Sequence, residues 1–139
     1  MNEYLFFQLK IGIKHSFKAE VDEDKMQKFL EISGDNNPMH IDHIFAKSNG
    51  MKDRIVYGLL TSSFYSTLVG VHLPGKFALL HSIDIQFSKP VFIGDKLTIT
   101  GEIFKINKMF RQIELKAYIL NQKNEKISRA KIKIGLKDE

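Results

Sequence analysis

Apolar and polar residues follow two different periods along this chain. From 21 to 34, "VDEDKMQKFLEISG", the positions Met26, Phe29 and Leu30 recur at helical spacing. Asp22 is placed to cap that helix, acidic residues fill its first turn, and Gly34 supplies its C-terminal stop. A short strand is expected just before it, over 15–20. A second, short helix is expected to start at Pro38, with Asn37 as N-cap and Ile41, Ile44 and Phe45 as its apolar positions. The stretch 55–73, "IVYGLLTSSFYSTLVGVHL", then runs without a single Asp, Glu, Lys or Arg. Within it a helix over 57–71 carries the stripe Tyr57, Leu60, Phe64, Leu68 and Val71, and its other faces are also small or apolar. This predicts a helix buried on nearly all sides.

Beyond Phe77 the period changes to two. Ile83, Ile85 and Phe87 alternate with Ser82, Asp84, Gln86 and Ser88, and Leu97 and Ile99 alternate with Lys96, Thr98 and Thr100. Ile113, Leu115, Ala117 and Ile119 define a further strand, as do Ala130, Ile132, Ile134 and Leu136, with "NQKNE" as the turn between them. No repeat, low-complexity tract or linker divides the chain, so one domain over 1–139 is expected. The pattern is α+β: an antiparallel sheet, apolar on one face, wrapped around a long central helix, as in a single hot-dog domain. Phe104, Ile106 and Phe110 fall outside the alternation and fit partner contact, strand bulges or core corners equally.

Composition narrows the function classes. The chain has 139 residues, enough to bury a core without disulfides or metals, and it contains no cysteine, which removes thiolate nucleophiles and Cys-ligated metals. The first ten residues hold an early acid and an apolar run too short for a signal peptide, so a cytoplasmic protein is expected. Thr61, Ser62, Ser63, Ser66 and Thr67 within the uncharged segment, and Pro74-Gly75 after it, argue against a membrane span. The net charge is +5, but the lysines are scattered and there are only three arginines, so nucleic-acid binding is not expected. A mildly basic surface equally suits a phosphate-bearing thioester or an acidic carrier. Arg54, and Arg129, Lys131 and Lys133 on one face of the last strand, are the candidate contacts.

The candidate chemistry lies in "ISGDNNPMHIDHIFA". In one continuous helix Asp35 and His40 would stand roughly 140° apart and could not share a ligand. Pro38 disfavours helix at Asn37, so 34–37 should form a tight loop that turns Asp35 back toward the following helix. His40 then occupies its third position, where the dipole favours a neutral imidazole. A carboxylate and a neutral imidazole facing one site can hold a water and move a proton. Two other readings fit the same spacing: a capped turn in which Asp35 satisfies loop N–H groups while His40 packs, and a metal site built from His40, Asp42 and His43.

Residues 29–46, "FLEISGDNNPMHIDHIFA", resemble the signature of the MaoC-like dehydratases, the (R)-specific enoyl-CoA hydratase family, whose core reads Ser-Gly-Asp-x-Asn-Pro-x-His before a small residue, here Ala46. The resemblance continues through "RIVYGLLTSSFYSTLVG", "LPG" and "FSKPVFIGDKLTI", and covers about 9–136. It implies a hydro-lyase in which Asp35 and His40 hold a water and deliver it across the double bond of a trans-2-enoyl thioester, or the reverse. It implies that the Gly58 N–H donates to the thioester carbonyl, and that the substrate is carried by coenzyme A or acyl carrier protein, with no cofactor or metal. Asn37, Tyr57, Ser63 and Ser66 are the other substrate-side positions. Ser66 matches a serine that supports the aspartate, although helix packing explains both serines equally. A homodimer is expected, because single-hot-dog members pair their sheets. Met39 replaces the usual Leu, Ile or Val. Tyr57 replaces the histidine that precedes the helix glycine, which opens either a changed acyl entrance or simple filling of the cleft wall. A thioesterase and a non-catalytic acyl-thioester or carrier-binding module are the rival readings.

Overall fold

Five antiparallel strands carry the second half of the chain and one segment of the first. The structure, a computed structural model, describes residues 1–138. β1 (Lys14–Glu20), β2 (Ala78–Phe87), β3 (Lys96–Asn107), β4 (Gln112–Leu120) and β5 (Lys126–Leu136) form one sheet in the order β1-β3-β4-β5-β2. The alternation expected on β4 and β5 is present: Ile113, Leu115, Ala117 and Ile119, and Ala130, Ile132, Ile134 and Leu136, are all buried on one face. Arg129, Lys131 and Lys133 stand on the other, exposed. Each buried Leu or Ile side chain contributes about 1.5–3 kcal/mol relative to exposure, so this face is the main source of stability. The "NQKNE" turn closes as a local network in which the Asn121 side chain accepts the N–H groups of Lys123 and Glu125, and Asn124 takes a left-handed φ of 59°. A bulge between Ile103 and Lys105 shifts the parity of β3. It brings Ile106 against the core, leaves Phe104 half-buried, and Phe110 stays exposed in the β3–β4 turn.

α1 (Glu23–Ser33) begins at Asp22, whose carboxylate accepts the Lys25 N–H, and ends at Gly34 with φ 72°. The helix expected from Pro38 is two helices. α2 (Pro38–Ile41) stops at Asp42, whose extended backbone ends one helix while its side chain accepts the N–H groups of Ile44 and Phe45 and starts α3 (His43–Ser48). The short side chain of Asp competes for backbone donors, and that competition breaks the helical run. Ile41, Ile44 and Phe45 are consequently exposed rather than turned inward.

The uncharged segment forms α4 (Gly58–Thr67) and then widens into a π turn over Leu68–His72, where the Leu73 N–H reaches back to the Leu68 carbonyl at 2.7 Å. Its buried residues are Thr61, Ser62, Tyr65, Leu68 and Val69, a face rotated from the expected stripe, of which only Tyr57 and Leu68 are fully buried. Contrary to expectation it is not enclosed: Leu59 is 67% exposed, and Ser63 and Ser66 also lie open. A single sheet layer covers one side of a helix. Two contacts lock that side. Tyr65 Oη lies 2.8 Å from Ser128 Oγ on β5, and Leu68 fills the space over Gly101, where an added Cβ would stand 2.6 Å from Leu68 Cδ2. The N-terminal segment is a packed arm, with the Asn2 N–H bonded to Val71 O at 2.8 Å. Among the described residues no helix is long and apolar enough to cross a membrane.

Candidate active site

Asp35 and His40 are brought together by the loop between α1 and α2. The αL glycine Gly34 turns the chain out of α1, and the Asp35 N–H then bonds Ser33 Oγ at 3.1 Å. Asp35 Oδ1 accepts the Asn37 N–H at 3.1 Å, and Asn37 Oδ1 in turn accepts the Met39 N–H at 2.9 Å to cap α2. Two successive side-chain turns, ended by Pro38 at the first helical position, replace the continuous helix that would have separated the pair. One carboxylate oxygen thus serves the turn, as the capped-turn reading expects, while the other is free of it. Asp35 Oδ2 is left to face His40 Nε2 at 3.9 Å.

The opposite edge of the imidazole is fixed by the main chain. His40 Nδ1 lies 2.8 Å from the Ile55 carbonyl, which can only accept, so Nδ1 carries a proton, and in the neutral ring the Nε2 lone pair is the one turned toward Asp35. The Ile55 N–H bonds Met39 O at 3.1 Å, so one residue grips α2 twice. Ile55 is itself bridged to Phe92, and the Val56 N–H bonds Val91 O at 2.8 Å. The "FIGD" turn behind it is held by Asp95, whose carboxylate accepts the Phe92 N–H and the Gln122 amide, both at 2.9 Å. The His40 side chain is 16% exposed and Asp35 47%, so the pair sits near the surface rather than within the core, with His40 on the wall of a cleft.

That cleft has a volume of about 290 Å³ and brings His40, Gly58, Thr61 and Phe87 together with Val91 and Ile127. Gly58 is the first residue of α4, and the Tyr57 side chain makes no capping bond there. The Leu60 N–H bonds the Tyr57 carbonyl at 3.1 Å, and no side-chain cap competes with a ligand for the amides of Gly58 and Leu59 at the positive end of the helix. Thr61 and Ser62 hydroxyls turn back to Gly58 O at 2.8 and 2.9 Å. Phe87 lies directly over Gly58, with Cε1 3.1 Å from where a Cβ would be. Glycine is needed here for close approach, not for backbone freedom.

The remaining expected residues divide. Tyr57 is 2% exposed and its hydroxyl donates to the Asp35 main-chain carbonyl at 2.8 Å, which places it behind the pair. The Asn37 side-chain oxygen is engaged as a cap. Ser63 Oγ bonds its own helix at Leu60 O (2.6 Å), and Ser66 is exposed on α4 with no hydrogen bond to Asp35 among the described residues. The three residues of the possible metal site point three ways, His40 to Ile55, Asp42 into the cap of α3, and His43 to Asp53 at 2.5 Å. No cluster of ligating side chains suited to a metal exists among the described residues. Arg54 is mostly buried and ion-paired with Glu23 rather than presented to a phosphate. Arg129 and Lys131 line a larger depression, about 540 Å³, together with Lys116, Lys126, Asp84 and Glu102. It lies on the face of the sheet turned away from α4, remote from Asp35, and its cations are interleaved with carboxylates. The Ile55 carbonyl and Phe87 were not singled out from the sequence. A backbone acceptor leaves no mark in residue type, and Phe87 read only as an inward strand position.

An imidazole on the wall of an apolar cleft beside the amide end of a helix, with a carboxylate oxygen nearly 4 Å from its ring, suits the addition or removal of water next to a polarised carbonyl. Comparison with known proteins agrees. The chain is 34% identical over 103 residues to a 3-hydroxybutyryl-CoA dehydratase of Methylorubrum extorquens, spanning 73% of this chain and 66% of that protein. It is 34% identical over 95 residues to an (R)-specific enoyl-CoA hydratase of Aeromonas caviae, spanning 68% of this chain and 71% of the relative. The solved structure of an A. caviae (R)-hydratase superposes with a TM-score of 0.88 at 28% identity, covering 92% of this chain and 97% of the other. R-hydratase PhaJ1 of Pseudomonas aeruginosa gives 0.90 at 25% identity, covering 96% and 86%. The profile of the MaoC like domain matches residues 7–124, and the chain belongs to that family.

Proposed function

We propose that the protein is a hydro-lyase that adds water to trans-2-enoyl thioesters with (R) stereochemistry, or removes it from 3-hydroxyacyl thioesters. One observation carries the reading: His40 Nε2 and Asp35 Oδ2 stand 3.9 Å apart, too far for a direct hydrogen bond and close enough for one water to bond both from the side, and His40 lines the same cleft as the amide end of α4. In hydration the water is held by both groups and gives a proton to His40 Nε2 as its oxygen bonds to C3. The electron pair of the double bond moves toward the thioester carbonyl, where the Gly58 N–H meets the developing charge. C2 then takes the proton back from the imidazole, and both side chains end as they began. One such amide donor is typically worth about 3 kcal/mol in the transition state. Relatives are named for both coenzyme A and acyl-carrier-protein substrates, and either thioester fits this chemistry.

We also propose that the working unit is a homodimer. β2 is an edge strand, and Leu79, Leu80, Ile83 and Phe87 leave an exposed apolar margin beside the open face of α4. A second copy pairing along this edge would cover that margin.

The test follows the ultraviolet absorbance of the conjugated enoyl thioester, with thiol release read in parallel. Wild type is expected to consume the enoyl signal without releasing thiol. Asp35→Asn and His40→Ala should each lose about 10² to 10⁴ in kcat while still binding the thioester. Thiol release would instead indicate a thioesterase, and binding without turnover by wild type would indicate a carrier-binding module.

A further inference from the structure

Tyr57 stands where the three working parts of the site meet. Its ring centroid is 4.2 Å from that of His40, tilted by 31°, and 4.7 Å from that of Phe29. The Ile55 carbonyl fixes one edge of the imidazole, but a single hydrogen bond leaves the ring free to rock about it, and the tyrosine ring removes that freedom. On the other side of the pair, the Asp35 main chain sits in an exposed loop, and among the described residues the one side-chain hydrogen bond received by its carbonyl is the 2.8 Å bond from Tyr57 Oη. The peptide that presents the Gly58 N–H joins Tyr57 to Gly58, so the same residue also fixes the start of α4.

We propose that Tyr57 is a positioning residue that sets the separation of Asp35 and His40, its ring backing the imidazole and its hydroxyl holding the Asp35 main chain, without touching substrate. This rests on the hydration reading of the site. The tie belongs to the tyrosine specifically: the histidine usual at this position in the family has a shorter ring and no hydroxyl at its far end. Burial, and then the negative charge of Asp35, push the Tyr57 hydroxyl above its ordinary pKa, so the donated proton is retained throughout the neutral range.

Steady-state kinetics on trans-2-butenoyl-CoA, with amide exchange measured in the same variants, test this. Tyr57→Phe removes only the hydroxyl, and is expected to lower kcat about tenfold with KM within roughly twofold, because a misplaced pair costs turnover rather than binding. Exchange of the Asp35 and Asn37 amides should rise several-fold, while amides of β4 stay unchanged. Tyr57→Leu, which also removes the ring, should lower kcat further, and Tyr57→His should recover part of that loss through its stacking on His40. Full kcat and wild-type exchange in Tyr57→Phe would overturn the proposal, as would a raised KM at unchanged kcat, which marks a direct substrate contact. If wild type turns over no enoyl thioester, the hydration reading falls by itself. The exchange comparison then decides: faster exchange at 35–37 in Tyr57→Phe upholds the clamp, and unchanged exchange removes it.

Discussion

Single atoms decide much at this site, and the Asp35→Asn variant shows why it is a clean probe. Asp35 Oδ1 accepts a loop N–H and an asparagine carbonyl can do the same, so the turn survives while the charge facing His40 is removed. Loss of turnover with an unchanged melting temperature is the expected outcome. Tyr65 gives a residue-scale prediction about pH. Its hydroxyl is buried between α4 and β5, and burial pushes its pKa up to about 12, against an ordinary value near 10. Because the folded value is the higher one, the unfolded chain releases this proton first as pH rises. The contribution is fully present below about pH 10 and is lost as pH climbs toward the folded value. Urea midpoints at about pH 9 and about pH 11 should therefore fall more for wild type than for Tyr65→Phe. A parallel fall in both would remove Tyr65 from the alkaline transition.

At the scale of elements, the contact between α4 and the sheet depends on a missing side chain. Leu68 lies so close over β3 that a methyl group on Gly101 would stand 2.6 Å from Leu68 Cδ2, and the leucine, fully buried, has little room to move. Gly101→Ala is expected to destabilise the fold by roughly 1–3 kcal/mol, as overpacking of a close-packed core does, measurable by urea denaturation. The same substitution at Gly70, where nothing lies within 4 Å of the added Cβ, is the control and should cost far less. The break between α2 and α3 also belongs to this scale. Asp42 ends one helix and caps the next, which leaves α2 just long enough to carry His40.

For the whole molecule, the open side of α4 and the apolar edge of β2 are the surfaces on which the proposed dimer rests. Ile83 is 38% exposed and Phe87 53%, and both lie on the strand face that carries the partly buried, core-packed Ile85. Placing a charge in that margin should prevent its burial. In sedimentation equilibrium, wild type is expected to run as a dimer and Ile83→Asp as a monomer with reduced turnover. A wild type that stays monomeric at working concentration while fully active would end the dimer proposal.

The sequence by itself determined the elements whose signals are local. Period-two alternation marked β4 and β5, Asp22 and Gly34 bounded α1, and Asn37-Pro38 placed the start of α2, because caps, turns and alternation act within a few residues. The motif around Asp35 and His40 also identified the pair and the family it resembles. What only the tertiary structure decided involves atoms far apart in the chain. The Nδ1 proton of His40 depends on the Ile55 carbonyl, the ion pair of Arg54 on Glu23, and the hydrogen bond of Tyr57 on a carbonyl 22 positions earlier. The exposed face of α4 was misread for the same reason: an uncharged helix says that its surface must be covered, but whether the cover comes from its own chain or from another is fixed by how many layers the sheet supplies.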